Sequence, residues 1–141
     1  MYKRFAVIGL ILFLCGCSSK VTVSEISLAQ AEQDVLKFIN IVHEENGRYL
    51  YTDDNNQIYI FLNEKYVQRG QDAVHFTAFY ITVQQDVLNV FINQDYASDY
   101  SETELKYQAL YKISTLGDFD RINLFSNGEP VPFDRIFSRE S

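Results

Sequence analysis

The sequence predicts an α+β domain: one N-terminal amphipathic helix packed on an antiparallel β-meander of about five to seven strands. Three observations carry this. Apolar residues recur every three or four positions from Leu28 to Val42, the spacing of one helical face. From Arg48 onward the period shortens towards two and the composition turns to Tyr, Phe, Ile and Val, as half-buried strands prefer. Short turn-rich pieces separate these runs, and Asn127-Gly128 is the strongest hairpin signal among them, because both residues tolerate the positive φ of a two-residue turn.

Ser27 followed three residues later by Gln30 has the form of a capping box. After it Leu28, Ala31, Val35, Phe38, Ile39 and Val42 fall within an arc of ~100° at the helical period, and Ile41 alone breaks the pattern on the polar face. Glu44 and Glu45 stand at the negative end of the helix dipole, which weakens the last turn. Gly47, after Asn46, suits a left-handed stop.

Residues 48–52 and 58–63 read as two strands around the turn Asp53-Asp54-Asn55-Asn56. Residues 74–83 and 87–93 form a second hairpin around Gln84-Gln85-Asp86. In its second strand Leu88, Val90 and Ile92 share one face while Asn89, Phe91 and Asn93 share the other. Tyr107, Ala109, Tyr111 and Ile113 alternate with Lys106, Gln108 and Lys112, and a last pair, 121–125 and 130–133, closes around Asn127-Gly128. Val21, Val23 and Ser24 are too few to separate a tether from an edge strand.

Ahead of this domain stand two basic residues, Lys3 and Arg4, then an apolar run over 5–14, then the small Gly16. These are the three parts of an export signal. At about ten residues the run is short of the ~20 that cross a bilayer as a lasting helix. Its end, Leu14-Cys15-Gly16-Cys17, resembles the lipobox of bacterial lipoproteins, in which Leu stands three residues before a lipid-modified Cys and a small residue directly before it. Cys15 departs from that pattern, where the family more often has Ala, Ser or Thr. The resemblance implies removal of residues 1–16, a diacylglyceryl thioether on Cys17 and further acylation, by palmitate or a similar chain, of its amine. Two or more chains anchor a protein stably, at ~0.8 kcal/mol per buried CH₂.

The implied organisation is a signal peptide over 1–16, a lipidated Cys and tether over 17–26 and a single domain over 27–141. The implied location is the cell membrane or, because Ser18 and not Asp follows Cys17, the outer membrane of a two-membrane cell, facing away from the cytoplasm. Residues 105–137 are also similar, faintly, to the last strands of small envelope lipoproteins. No residue role follows from that likeness.

The whole chain carries a net charge of −7, and loss of Lys3 and Arg4 with the signal would take it to −9. Such a domain is repelled by phosphate backbones, so no nucleic-acid partner is expected. Both cysteines lie in the N-terminal segment, which leaves the domain no thiol for a disulfide, a zinc thiolate site or a nucleophile.

Motifs of catalysis are missing from the sequence. His43 and His75 belong to no spacing that sets two imidazoles on one metal, and no G-x-S-x-G elbow occurs. The expectation is a non-enzymatic protein without cofactor or metal. Asp53, Asn55, Gln57 and Glu64 match four positions of the calcium loop, but Ile58 replaces its turn glycine and strands replace its flanking helices. A polar hairpin turn accounts for the same residues.

The run 95–104 combines Asp95, Asp99, Glu102 and Glu104 with Tyr96 and Tyr100, a candidate surface for a cation or a basic partner. Eighteen Tyr and Phe follow Cys17; exposed on a sheet, such residues receive a partner's side chains or stack on sugars. The functional expectation is therefore a lipid-anchored, non-catalytic envelope module that binds the membrane through Cys17 and another envelope protein through its surface. The alternative is a small-ligand or cation-binding lipoprotein with an aromatic pocket between helix and sheet.

Overall fold

The computed structural model describes residues 21–98 and 104–138. In chain order it forms β1 (Thr22–Ile26), a 3₁₀ turn (Leu28–Gln30), α1 (Gln33–Val42), β2 (Gly47–Thr52), β3 (Ile58–Asn63), β4 (Ala73–Gln84), β5 (Val87–Ala97), β6 (Gln108–Ser114), β7 (Arg121–Ser126), β8 (Glu129–Val131) and β9 (Arg135–Ser138). The protein is mainly β. This corrects the expected α+β arrangement of one N-terminal helix on a single meander of five to seven strands. Among the described residues nine strands divide into a five-stranded sheet, β1-β6-β3-β2-β9, and a four-stranded sheet, β4-β5-β7-β8.

Most neighbours are antiparallel, but β2 pairs with β9 and β5 with β7 in parallel. Both parallel pairs are long-range. Alternation along a strand tells which face is buried; it does not tell which strand lies beside it, and the short-turn rule misses a strand that returns from the other sheet. Residues 22–26 form an edge strand, antiparallel to β6 from Thr22↔Ser114 to Ile26↔Leu110.

The expected long helix is divided. Ser27 and Gln30 do meet, with the Ser27 amide donating to Gln30 Oε1 at 3.1 Å, but they close a 3₁₀ turn. Ala31 and Glu32 then return to extended backbone, and α1 begins afresh after Glu32. Leu28 is consequently 41% exposed, while Val35, Phe38, Ile39 and Val42 are buried. Gly47 takes no left-handed turn either, since its φ is not positive. It opens β2, and a Cβ there would come within 2.7 Å of the Tyr49 ring and 2.9 Å of the Asp134 carboxylate. Close approach is the reason for glycine.

Two cores result, one on each face of the five-stranded sheet. Leu50, Ile58, Ile60, Leu62, Ala109, Tyr111 and Ile113 face Phe76, Leu88, Val90, Ile92 and Leu124 of the other sheet. Phe79 of β4 stacks on Tyr111 of β6 at 3.7 Å between centroids, joining the two sheets. On the opposite face Tyr49, Tyr51, Tyr59, Phe61 and Leu110 pack under the apolar side of α1. β3 is therefore buried at all six positions, which explains its continuous apolar run. Lys106 and Glu25 meet at 2.6 Å beside β1. Both are well exposed, so the pair contributes under ~1 kcal/mol.

Candidate functional site: the outer face of the four-stranded sheet

The face of β4-β5-β7-β8 turned away from the core carries a cross-strand row of apolar side chains. Tyr80 pairs with Phe91, Phe91 with Phe125, and Phe125 with Pro130. The rings of Tyr80 and Phe91 stack at 4.7 Å with planes 6° apart, and those of Phe91 and Phe125 at 4.9 Å and 14°. These distances equal the strand spacing, so the rings stand upright on the sheet. Phe91 has a neighbour on each side and neither of its faces is free. Solvent meets a ridge of ring edges, with Tyr80 49% exposed at the end of the row.

Uncharged polar residues flank this ridge. On one side lies the row Thr82, Asn89 and Asn123, in which the Asn123 amide donates to Asn89 Oδ1 at 3.1 Å. On the other lie Ala78 and Asn93, then His75 opposite Asp95. Charge is confined to the margins, where Asp86, Asp120 and Arg121 stand at one end and Asp95 at the other. An apolar centre within a polar rim is the anatomy of a protein interface.

Of the acidic run expected to bind a partner, Asp95 and Tyr96 are strand residues near the end of β5, four residues beyond the expected hairpin limit at Asn93. Both are exposed, and the Tyr96 amide donates to Asp95 Oδ1 at 2.8 Å. Asp95 shares the outer face with the ridge, ~13 Å from Phe91 at the rise of a strand. Glu104 is exposed in the segment before β6, whose Lys106 carbonyl accepts from the Phe76 amide at 2.8 Å. Asp99, Tyr100, Glu102 and the expected lipid-bearing Cys17 lie outside the described residues.

Sequence reasoning placed Asn89, Phe91 and Asn93 on one face but missed Tyr80, Phe125 and Pro130 as their neighbours. A signal was present: DVLNVFIN at 86–93 returns as DRINLFSN at 120–127, with Asp, Asn, Phe and Asn at the same four positions. The two segments lie side by side in parallel and in register, from Val87↔Arg121 to Ile92↔Ser126. Like therefore stacks on like.

Away from this face Asp53, Tyr59 and Glu64 are held by turn and core packing. Asp53 Oδ1 accepts from the amides of Asn55 and Gln57, each at 2.9 Å, so the calcium-like residues form a hairpin turn. Burial pushes the Tyr59 phenol up to about 12, helped by Asp53, Glu32 and Tyr51. Burial likewise raises Glu64, against the lowering effect of Arg48. No group of three His, Cys, Asp or Glu side chains is placed to hold a metal ion among the described residues. Where α1 meets the five-stranded sheet, Phe38 stacks on Tyr51 at 5.3 Å and contacts Phe137 at 5.2 Å. The cleft left beside them, which Ile41 also lines, is about 230 Å³, below the ~300–1,000 Å³ of typical ligand pockets. No helix among the described residues is long and apolar enough to cross a membrane.

Comparison with family models, with curated proteins and with solved structures gives no match.

Proposed function

We propose that this chain is a lipid-anchored, non-catalytic protein of the cell envelope, held to the membrane through Cys17, and that the outer face of its four-stranded sheet binds another envelope protein. The ridge of Tyr80, Phe91, Phe125 and Pro130 is the observation that supports the binding role. A sugar stacks on an open ring face, and in this row both faces of Phe91 are covered by its neighbours, which leaves the outer face of Tyr80 at the sheet edge. A partner's apolar side chains pack against ring edges equally well, and flanking asparagines supply hydrogen bonds without the desolvation cost of charge. The alternative reading, a ligand pocket between helix and sheet, draws little support from a space filled by Phe38 and Tyr51.

Two measurements test the reading separately. Palmitate labelling with and without globomycin, in wild type and Cys17→Ser, checks the anchor; label retained in Cys17→Ser counts against it. A photo-crosslinking residue at Tyr80, compared with one at the exposed Lys37 on α1, checks the face in living cells. Discrete adducts are expected from position 80 alone. Equal or absent adducts at both positions would reject the ridge as an interface.

A further inference from the structure

The loop joining β6 to β7 presents Leu116, which at 90% exposed is the barest large apolar side chain among the described residues. The loop is braced behind it. Thr115 is buried, and its hydroxyl donates to the Gly117 carbonyl at 3.1 Å and accepts from the Gly117 amide at 3.2 Å. Gln57 donates from Nε2 to the Thr115 carbonyl at 3.4 Å, and Phe119 packs against the core between the sheets. Leu116 is thus held outward between two inward anchors. One exposed leucine is ordinary on a protein surface; its neighbour here is not.

Thr22 lies opposite Ser114, two residues before Leu116. Val21 packs on the core between the sheets, and Cys17 precedes it by four residues, a reach of at most ~14 Å when fully extended. The turn between Thr52 and Ile58, the β4–β5 turn and Ser138 share this end of the sandwich, since Thr52 pairs with both Ile58 and Ser138 and the Asp120 backbone amide donates to the Asp86 carbonyl. Asn63, Gln108, Ala97 and the Asn127-Gly128 hairpin mark the opposite end.

We propose that the end of the sandwich bearing Thr22 and the 115–119 loop lies against the bilayer, with the Leu116 side chain in its interfacial layer. This rests on the lipid-anchor reading. A buried leucine contributes ~1.5–3 kcal/mol, too little to bind a free protein against the cost of association. Joined to an acyl anchor by so short a tether, the contact becomes intramolecular, at an effective concentration on the order of millimolar. Among the described residues at this end Asp53, Asp54, Asp86, Asp118 and Asp120 outnumber Arg121, so the surface it fits is zwitterionic lipid, and anionic headgroups oppose it within a Debye length of ~8 Å. Asp95 and the Asn127-Gly128 hairpin then point away from the membrane.

The acylated mature protein would have no free thiol, because its two cysteines are Cys15, removed with the signal, and Cys17, alkylated. Leu116→Cys, or Glu129→Cys beside the far hairpin, therefore adds one labelling site. In phosphatidylcholine vesicles an environment-sensitive label at 116 is expected to shift to the blue and to be quenched by nitroxide lipids, while one at 129 reports water. Adding phosphatidylglycerol at low salt should reverse part of the shift at 116. Without any label, hydrogen exchange at 115–119 on vesicles should be faster in Leu116→Ser than in wild type. Acylated protein bound to vesicles with a label at 116 as wet as at 129, and exchange unchanged by Leu116→Ser, would overturn the proposal and leave the anchor intact. A mass spectrum showing unmodified Cys17 would remove the anchor and this contact with it.

Discussion

The side-chain amide of Asn63, fully buried at the end of β3, donates to the carbonyl of His43 at 3.1 Å and to that of Glu45 at 3.0 Å, just beyond the end of α1. Its oxygen accepts from the Lys65 amide at 3.2 Å and from Gln108 Nε2 at 3.4 Å. One side chain in the five-stranded sheet therefore satisfies carbonyls that the helix leaves open and fixes the helix against the sheet. Asn63→Ala should lower the unfolding free energy by ~2–4 kcal/mol, because it removes several bonds and leaves buried groups unpaired. Asn63→Asp should be at least as damaging at neutral pH, where a carboxylate would face two carbonyls. Urea denaturation of the three proteins checks the order.

Gly47→Ala should be destabilised by ~1–3 kcal/mol, the usual range for overpacking. The added carbon would press on the Tyr49 ring and the Asp134 carboxylate, and neither yields easily. The Tyr49 hydroxyl is tied to the Glu45 carbonyl at 2.9 Å, and Asp134 Oδ2 accepts from the Arg48 amide at 2.7 Å. Thermal unfolding reads the loss, and an unchanged midpoint would show that this corner relaxes.

Alkaline pH should unfold the protein in a defined window. The Tyr59 phenol is pushed up to about 12, chiefly by burial, and burial also raises Tyr49 and Tyr111. The folded state then keeps protons that the unfolded chain releases above ~10, so this part of the stability is whole below pH ~10 and is lost as pH climbs towards 12. For Tyr59 the loss is on the order of 3 kcal/mol. Calorimetry across that range should show a shallower decline in Tyr59→Phe than in wild type.

Glu64→Gln should raise the melting temperature at neutral pH. Burial lifts the Glu64 carboxyl above its ordinary value despite the nearby Arg48, so the folded state disfavours its charged form. The favourable contribution of the protonated form is complete below the unfolded pKa and disappears as pH rises through the folded one. The advantage of glutamine should accordingly vanish in acid, below pH ~4. A variant less stable than wild type at neutral pH would mean that the attraction of Arg48 outweighs desolvation.

Strands were legible where one face is buried or where both are. Leu88, Val90 and Ile92 announce β5 by alternation, and the unbroken run of β3 has six buried positions to explain it. The Asn127-Gly128 hairpin forms as its residues suggest, with φ of 50° and 82°. Strand pairing was less legible, because β7 returns to lie beside β5 after β6 has joined the other sheet. β9 escaped notice for a local reason: Arg135–Ser138 is short, and of its two apolar residues Phe137 alone packs on a core, while Ile136 is 66% exposed at a sheet edge. In the candidate site Phe91 was visible as an outward residue, whereas the row it completes required the parallel register with Phe125.

β9 also constrains how the molecule is made. It lies in parallel beside β2, pairing Tyr49 with Arg135 and Thr52 with Ser138, and it brings Phe137 to within 5.2 Å of Phe38. A nascent chain emerging from the ribosome cannot complete that sheet until residue 138 is free. The β2–β9 pair can therefore form only after nearly all of the described chain has been synthesised.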